Sequence, residues 1–172
     1  MKKIGLILVI VATIFCSACT NVKKSETNMS SMEDFYFRLT WGCYGISSYD
    51  SETGKLVKTK DATHPEDYIT NYKLTDEELE KIYDLIEDLD VESYPDYYNP
   101  NEGEMSSPTM TLILVVNTGE GEKMIAAKDI ALSYSSKDRK GQKFLNACKT
   151  IRDMLMETEE WEALPEYEFF YD

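Results

Sequence analysis

Four cysteines and a single histidine are the residues of this chain best suited to nucleophilic or metal chemistry. Cys16 and Cys19 stand three apart in Phe15-Cys16-Ser17-Ala18-Cys19, a Cys-x-x-Cys spacing that suits a redox couple or half of a zinc site. Cys43 and Cys148 fit a disulfide if the protein is exported. Such a bond would close a loop of about 100 residues and contribute about 4–5 kcal/mol in the chain-entropy model. The other reading keeps both as free thiols that act as small core hydrophobes. His64 precedes Pro65 in a polar stretch; as the sole histidine it leaves a zinc site short of its usual ligands, and it is the only imidazole with which a catalytic cysteine could pair.

Carboxylates are the second group of candidates. Asp50-x-Glu52-x-Gly54 faintly follows a calcium loop, but its glycine comes one position early, and Leu56 and Lys58 stand where ligands belong. A hairpin turn explains the same residues better. Glu87, Asp88, Asp90, Glu92, Asp96, Glu102 and Glu104 form an acidic belt with Tyr94, Tyr97 and Tyr98 interleaved. Two such acids about 5–9 Å apart could serve as general acid and base on a sugar bond, and the belt could also hold a cation. Tyrosines stack on sugar rings or anchor a partner protein. Tyr94, Tyr97, Tyr98, Asp96, Glu102 and Glu104 are therefore the candidate binding surface. The bland alternative is a solvated helix end followed by a loop whose aromatics cover the core. There is no Gly-x-Ser-x-Gly elbow, phosphate-binding glycine loop or His-Glu-x-x-His, and no catalytic or metal residue is assigned.

The setting of Cys16 and Cys19 decides between their chemistries. Lys2 and Lys3 precede the apolar run Ile4 to Phe15, which is shorter than the ~20 residues of a spanning helix. A basic start, a short apolar middle and small residues before a cut mark an export signal. Cleavage before Cys19 leaves the small Ala18 at the cut; cleavage before Cys16 would leave the bulky Phe15. Cys16-Ser17-Ala18-Cys19 resembles the lipobox of bacterial lipoproteins, Leu-(Ala/Ser)-(Gly/Ala)-Cys, with Cys16 in place of the usual leucine. The resemblance covers residues 1–19. It implies a diacylglyceryl thioether and an N-acyl chain such as palmitate on Cys19, with no other cofactor, and a protein held at the cell membrane facing out of the cytoplasm. An ordinary secretory signal cut near Ala18 is the alternative. Either way Cys16 leaves with the signal peptide, which removes the Cys-x-x-Cys site.

Eighteen basic against 32 acidic side chains give a net charge of −14. That field repels nucleic-acid phosphates and anionic headgroups, so nucleic acid is excluded as a partner and the lipid must provide the membrane attachment. The expected partners are the membrane, through the anchor, and an envelope protein or glycan. The chain as a whole is expected to be a non-enzymatic binding or interaction module of the cell envelope. A carboxylate-based cell-wall glycan hydrolase and a cation-binding head are the alternatives.

The elements that must position these residues follow from periodicity. Residues 1–18 are the signal peptide. Residues 19–33, polar and aperiodic, are the lipidated N-terminus and a flexible tether with a random-coil reach of about 20 Å. A single domain occupies 34–172. Phe35, Phe37, Leu39 and Trp41 alternate with polar residues and predict a half-buried strand. A second strand ends at Asp50, Gly54 turns the chain, and Lys55 to Lys60 returns with its lysines on an exposed face. Tyr68 to Lys73 is a further strand. Thr75-Asp76-Glu77-Glu78 is a capping box, and Leu79, Ile82, Tyr83, Ile86 and Leu89 make one helical stripe. Thr109 to Thr118 and Glu122 to Ile130 form a hairpin. Ser135 or Ser136 caps a last helix near 137–157, with Phe144, Cys148, Ile151 and Leu155 as its buried stripe. The fold class is α+β: an antiparallel sheet of about five or six strands, with two main helices packed on one face.

Overall fold

The computed structural model describes residues 32, 34–43, 46–60, 67–102, 107–119 and 121–166. The chain divides into two units, Met1–Glu33 and Asp34–Asp172. Cys16, Cys19 and the expected tether, apart from Met32, lie outside the described residues, as do His64 and Glu104.

The second unit is an α+β fold. Six strands, β1 (Tyr36–Gly42), β2 (Ser47–Asp50), β3 (Lys55–Thr59), β4 (Asp67–Asn71), β5 (Thr109–Asn117) and β6 (Glu122–Ala131), form one sheet in the order β4-β3-β2-β1-β5-β6. Every neighbouring pair is antiparallel. The alternation expected in β1 is present, with Phe37, Leu39 and Trp41 buried and the residues between them half-buried. Register extends that alternation across the sheet. Leu56, Tyr49, Leu39, Leu114 and Ile125 pair in one row over five strands, and each is at most 1% exposed. Burial of each such side chain contributes about 1.5–3 kcal/mol.

Two main helices cover this face. Helix α1 (Asp76–Leu89) starts at the expected capping box: Thr75 Oγ1 accepts the Glu78 N–H at 3.3 Å, and Glu78 accepts the Thr75 N–H at 2.8 Å. Ile82, Tyr83, Ile86 and Leu89 are its buried stripe. The helix stops where Asp90 takes a left-handed conformation (φ 55°), and a 3-10 turn, Val91–Ser93, follows. Helix α2 (Arg139–Met156) buries Phe144, Cys148, Ile151 and Leu155 as expected, packs on α1 and touches β1. Its cap differs from expectation. Asp138, not Ser135 or Ser136, accepts the Gly141 N–H, because the Ser136 hydroxyl donates instead to the Pro100 carbonyl. A third, four-residue helix, α3 (Glu159–Glu162), is capped by Thr158.

The turn between β2 and β3 is the hairpin expected at Asp50. Asp50 Oδ1 accepts the N–H groups of Glu52 and Thr53 at 2.9 and 3.2 Å. Gly54 takes φ 74°, and a Cβ there would lie 2.9 Å from the Tyr72 carbonyl oxygen, so both the conformation and the close approach of β4 require glycine. The lysines of β3 correct a second expectation. Lys55 is exposed, but Lys58 shares the parity of Leu56 and points to the helix-covered face, where it is only 8% exposed.

Candidate functional site

The acidic tyrosine loop after α1 is built largely inward. Tyr94 is 2% exposed; its hydroxyl donates to the Lys140 carbonyl at 3.0 Å, and its ring packs on Phe144 and, edge-on, on Tyr98. Tyr98 donates to Asp138 Oδ2 at 3.0 Å, the carboxylate oxygen that also accepts the Gly141 N–H at 2.7 Å. Burial pushes the Tyr94 hydroxyl up to about 12. Burial, then the bond to Asp138, raises Tyr98 as well. The Gly141 N–H, followed by the Tyr98 hydroxyl, holds the Asp138 carboxyl below its ordinary value. The backbone of the loop adds to the sheet edge: Ala126 N–H donates to the Asp96 carbonyl at 2.7 Å, and Tyr98 N–H to the Ala126 carbonyl at 3.0 Å.

Tyr94 is thus buried in the core rather than displayed at the surface, and Tyr98 is half-buried and committed to Asp138. Tyr97, 76% exposed, Asp96 and Glu102 remain at the surface, with Asp96 held by Lys123 at 2.7 Å. Glu87, Asp88, Asp90 and Glu92 are also exposed; Asp88 pairs with Lys143 at 3.1 Å and Glu87 accepts the Tyr83 hydroxyl at 3.1 Å. This is the arrangement of a solvated helix end. Cys43 and Cys148, weighed as a disulfide pair, are both free thiols here. Cys148 is fully buried on α2, which pushes its thiol far up, and Cys43 is half-buried just beyond β1. Among the described residues, no three of His, Cys, Asp and Glu are grouped to hold a metal ion.

A different site stands on the other side of β1 from β5 and β6, where that strand ends. The last residues of β1, the first of β2 and the last of β3 lie side by side there, and the turn from α2 into α3 closes over them. Trp41, Gly42, Ser47, Lys58, Thr59, Met156, Trp161, Glu162 and Glu166 line a cavity of about 700 Å³. Its walls are fixed by local chemistry. Thr158, itself buried, accepts the Trp161 N–H at 3.2 Å and donates to the Leu155 carbonyl at 2.8 Å, which seats the short helix on the end of α2. That places the Trp161 ring 5.6 Å from the Trp41 ring, centroid to centroid, at a 37° tilt. Thr59 and the start of β2 are tied by Thr59 N–H to Ser47 Oγ and Thr59 Oγ1 to the Ile46 carbonyl, both at 3.3 Å.

Lys58 is the charged centre of this cavity. Its Nζ lies 5.2 Å from the centroid of the Trp161 ring, a cation–π distance. It donates to the Leu164 carbonyl at 3.5 Å, the limit of a hydrogen bond. It is 3.9 Å from Glu166 Oε2, a side chain that is 91% exposed. The site was missed in the sequence because a lysine in an amphipathic strand reads as solvent-facing. The signal was present in parity: Lys58 is two residues from Leu56, the residue the Gly54 turn sets opposite Tyr49.

The chain matches no protein-family model, and a search of curated proteins finds no match. The site therefore has to be interpreted from its own chemistry.

Proposed function

We propose that this chain is a lipid-anchored, extracytoplasmic binding module of a bacterial cell envelope that does no catalysis. The observation that carries the reading is Cys16-Ser17-Ala18-Cys19 at the end of a basic-then-apolar segment too short to span a bilayer. Diacylglycerol and an N-acyl chain on Cys19 tether an acidic head whose charge would otherwise keep it off anionic headgroups. Exposed acids, committed tyrosines and a cavity with one cation and two indoles favour recognition of a ligand over acid–base cleavage of a glycan.

Expression of Cys19→Ala and Cys16→Ala variants in a lipoprotein-processing bacterium tests the anchor. Cys19→Ala should leave the protein unprocessed or released from membranes. Cys16→Ala should be processed and retained like the parent. Equal behaviour of the two variants, or an N-terminal peptide of membrane-extracted protein that carries no fatty chain by mass spectrometry, sinks the proposal.

A further inference from the structure

We infer that the cavity between Trp41, Lys58 and Trp161 binds a zwitterionic amino-acid or short-peptide ligand. Lys58 takes its carboxylate, Glu162 and Glu166 at the rim take its ammonium, and Trp41, Trp161 and Met156 take its apolar side chain. The inference rests on the binding role proposed above and names the ligand class for it.

Three features point to this class. The first is the state of Lys58. Its ammonium has three donors, and its partners among the described residues are a carbonyl at 3.5 Å, a carboxylate at 3.9 Å and a ring face. With the side chain only 10% exposed, a charge-assisted bond to a ligand carboxylate would offset a desolvation penalty that the present contacts meet only in part. Glu166 is no obstacle, because a side chain 91% exposed swings aside at little expense.

The second feature is the balance of charge. One buried cation faces two exposed rim carboxylates, in a protein of net charge −14. A phosphate or dicarboxylate would meet a single lysine and a repelling field. A ligand that carries one carboxylate and one ammonium is neutral at long range and complementary at short range.

The third is the wall. Two indoles and Met156, 38% exposed, line the space and suit an aliphatic or aromatic side chain. A volume of about 700 Å³ lies within the usual range of small-molecule sites and admits more than one residue.

Trp41 and Trp161 are the chain's two tryptophans, and both line the cavity, so indole emission reports its occupancy directly. The full chain is titrated with leucine and with leucyl-leucine, the two sources of the shared chemistry, and with the methyl ester and the N-acetyl form of whichever binds. The expected result is a saturable change in emission with at least one zwitterion. The ester and the Lys58→Met variant should each weaken binding by at least about tenfold. The N-acetyl form and a Glu162→Gln, Glu166→Gln double variant should weaken it about threefold or more. Glu80→Gln, at an exposed position of α1 outside the cavity lining, should leave it unchanged. No saturable change up to about 10 mM with either zwitterion overturns the inference, as does an ester that binds as well as the acid. If Lys58→Met fails to fold, the ester comparison on the parent protein still decides. A flat titration on protein whose Cys19 carries lipid sinks the ligand and leaves the anchor standing; binding by protein without lipid does the reverse.

Discussion

Replacing Lys58 with methionine should make the protein more stable. Among the described residues Lys58 makes three contacts, and each is weak. The cation–π contact with Trp161 at 5.2 Å is worth about 1–2 kcal/mol at a partly desolvated site. The 3.9 Å approach to Glu166, a 91% exposed carboxylate, contributes about 0–0.5 kcal/mol after screening. The bond to the Leu164 carbonyl, at 3.5 Å, adds little. Against these stands the desolvation of an ammonium on a side chain only 10% exposed, which costs about 2–4 kcal/mol even after relaxation. Methionine keeps the unbranched stem and its packing on Trp161 and removes the charge. The balance is a gain of about 1–2 kcal/mol. For a head of this size that is a rise of about 3–7 °C in Tm.

Thermal unfolding of the parent and of Lys58→Met, followed by far-UV circular dichroism in the same buffer, measures the shift. Circular dichroism is needed because the substitution alters the surroundings of both tryptophans and so biases an indole readout. A fall in Tm of 3 °C or more would refute the reasoning, for then Lys58 is a net structural contact and the cavity is merely its seat. A rise shows that the sequence keeps a charge there at the expense of stability, as functional sites commonly do.

Two further outcomes follow from the fold. Thr75→Ala should lower stability by about 1 kcal/mol in urea denaturation, because it removes the acceptor for the Glu78 N–H at the start of α1. Partial burial pushes the Glu78 carboxyl up, but the Thr75 N–H and hydroxyl and the Tyr72 hydroxyl outweigh it and hold the group below its ordinary value of 4.5. Its stabilising contribution is therefore complete above about pH 4.5 and is lost as pH falls through the lowered value, and Glu78→Gln should flatten the parent's loss of stability on that acid limb; an unchanged slope would mean the box adds nothing. In a Cys16→Ser, Cys19→Ser background, a thiol reagent should modify the half-buried Cys43 in the native state and Cys148 only on unfolding; a protein with no thiol reactive even after unfolding without reductant would contain the disulfide that the structure lacks.

Much of this architecture was legible because it is local. The Thr75–Glu78 box, the alternation from Phe35 to Trp41 and the glycine turn at Gly54 each depend on residues a few positions apart, and each is where the pattern put it. What failed depended on neighbours distant in the chain. Ser136 is a good cap in isolation, but it is drawn to the Pro100 carbonyl, and Gly141 lets that loop come close: a Cβ there would lie 3.0 Å from the Pro100 Cβ. Tyr94 and Tyr98 sit in a stretch rich in proline and acids that reads as surface, yet Phe144 and Asp138 on and before α2 pull both rings in.

Lys58 is the instructive failure, since two local rules disagreed over it. Its charge said outward, while its period from Leu56, fixed by the Gly54 turn, said inward. Charge was the wrong rule to follow, because a strand cannot rotate one residue without turning its neighbours. With Leu56 held in the cross-sheet row by Tyr49 and Leu39, Lys58 has to enter the helix-covered face whatever its polarity. A sequence free to vary would place an apolar residue at such a position. A conflict of this kind, between a rigid period and a costly residue, is therefore itself a marker for a binding site, and here it singles out the lysine that lines a cavity together with both tryptophans.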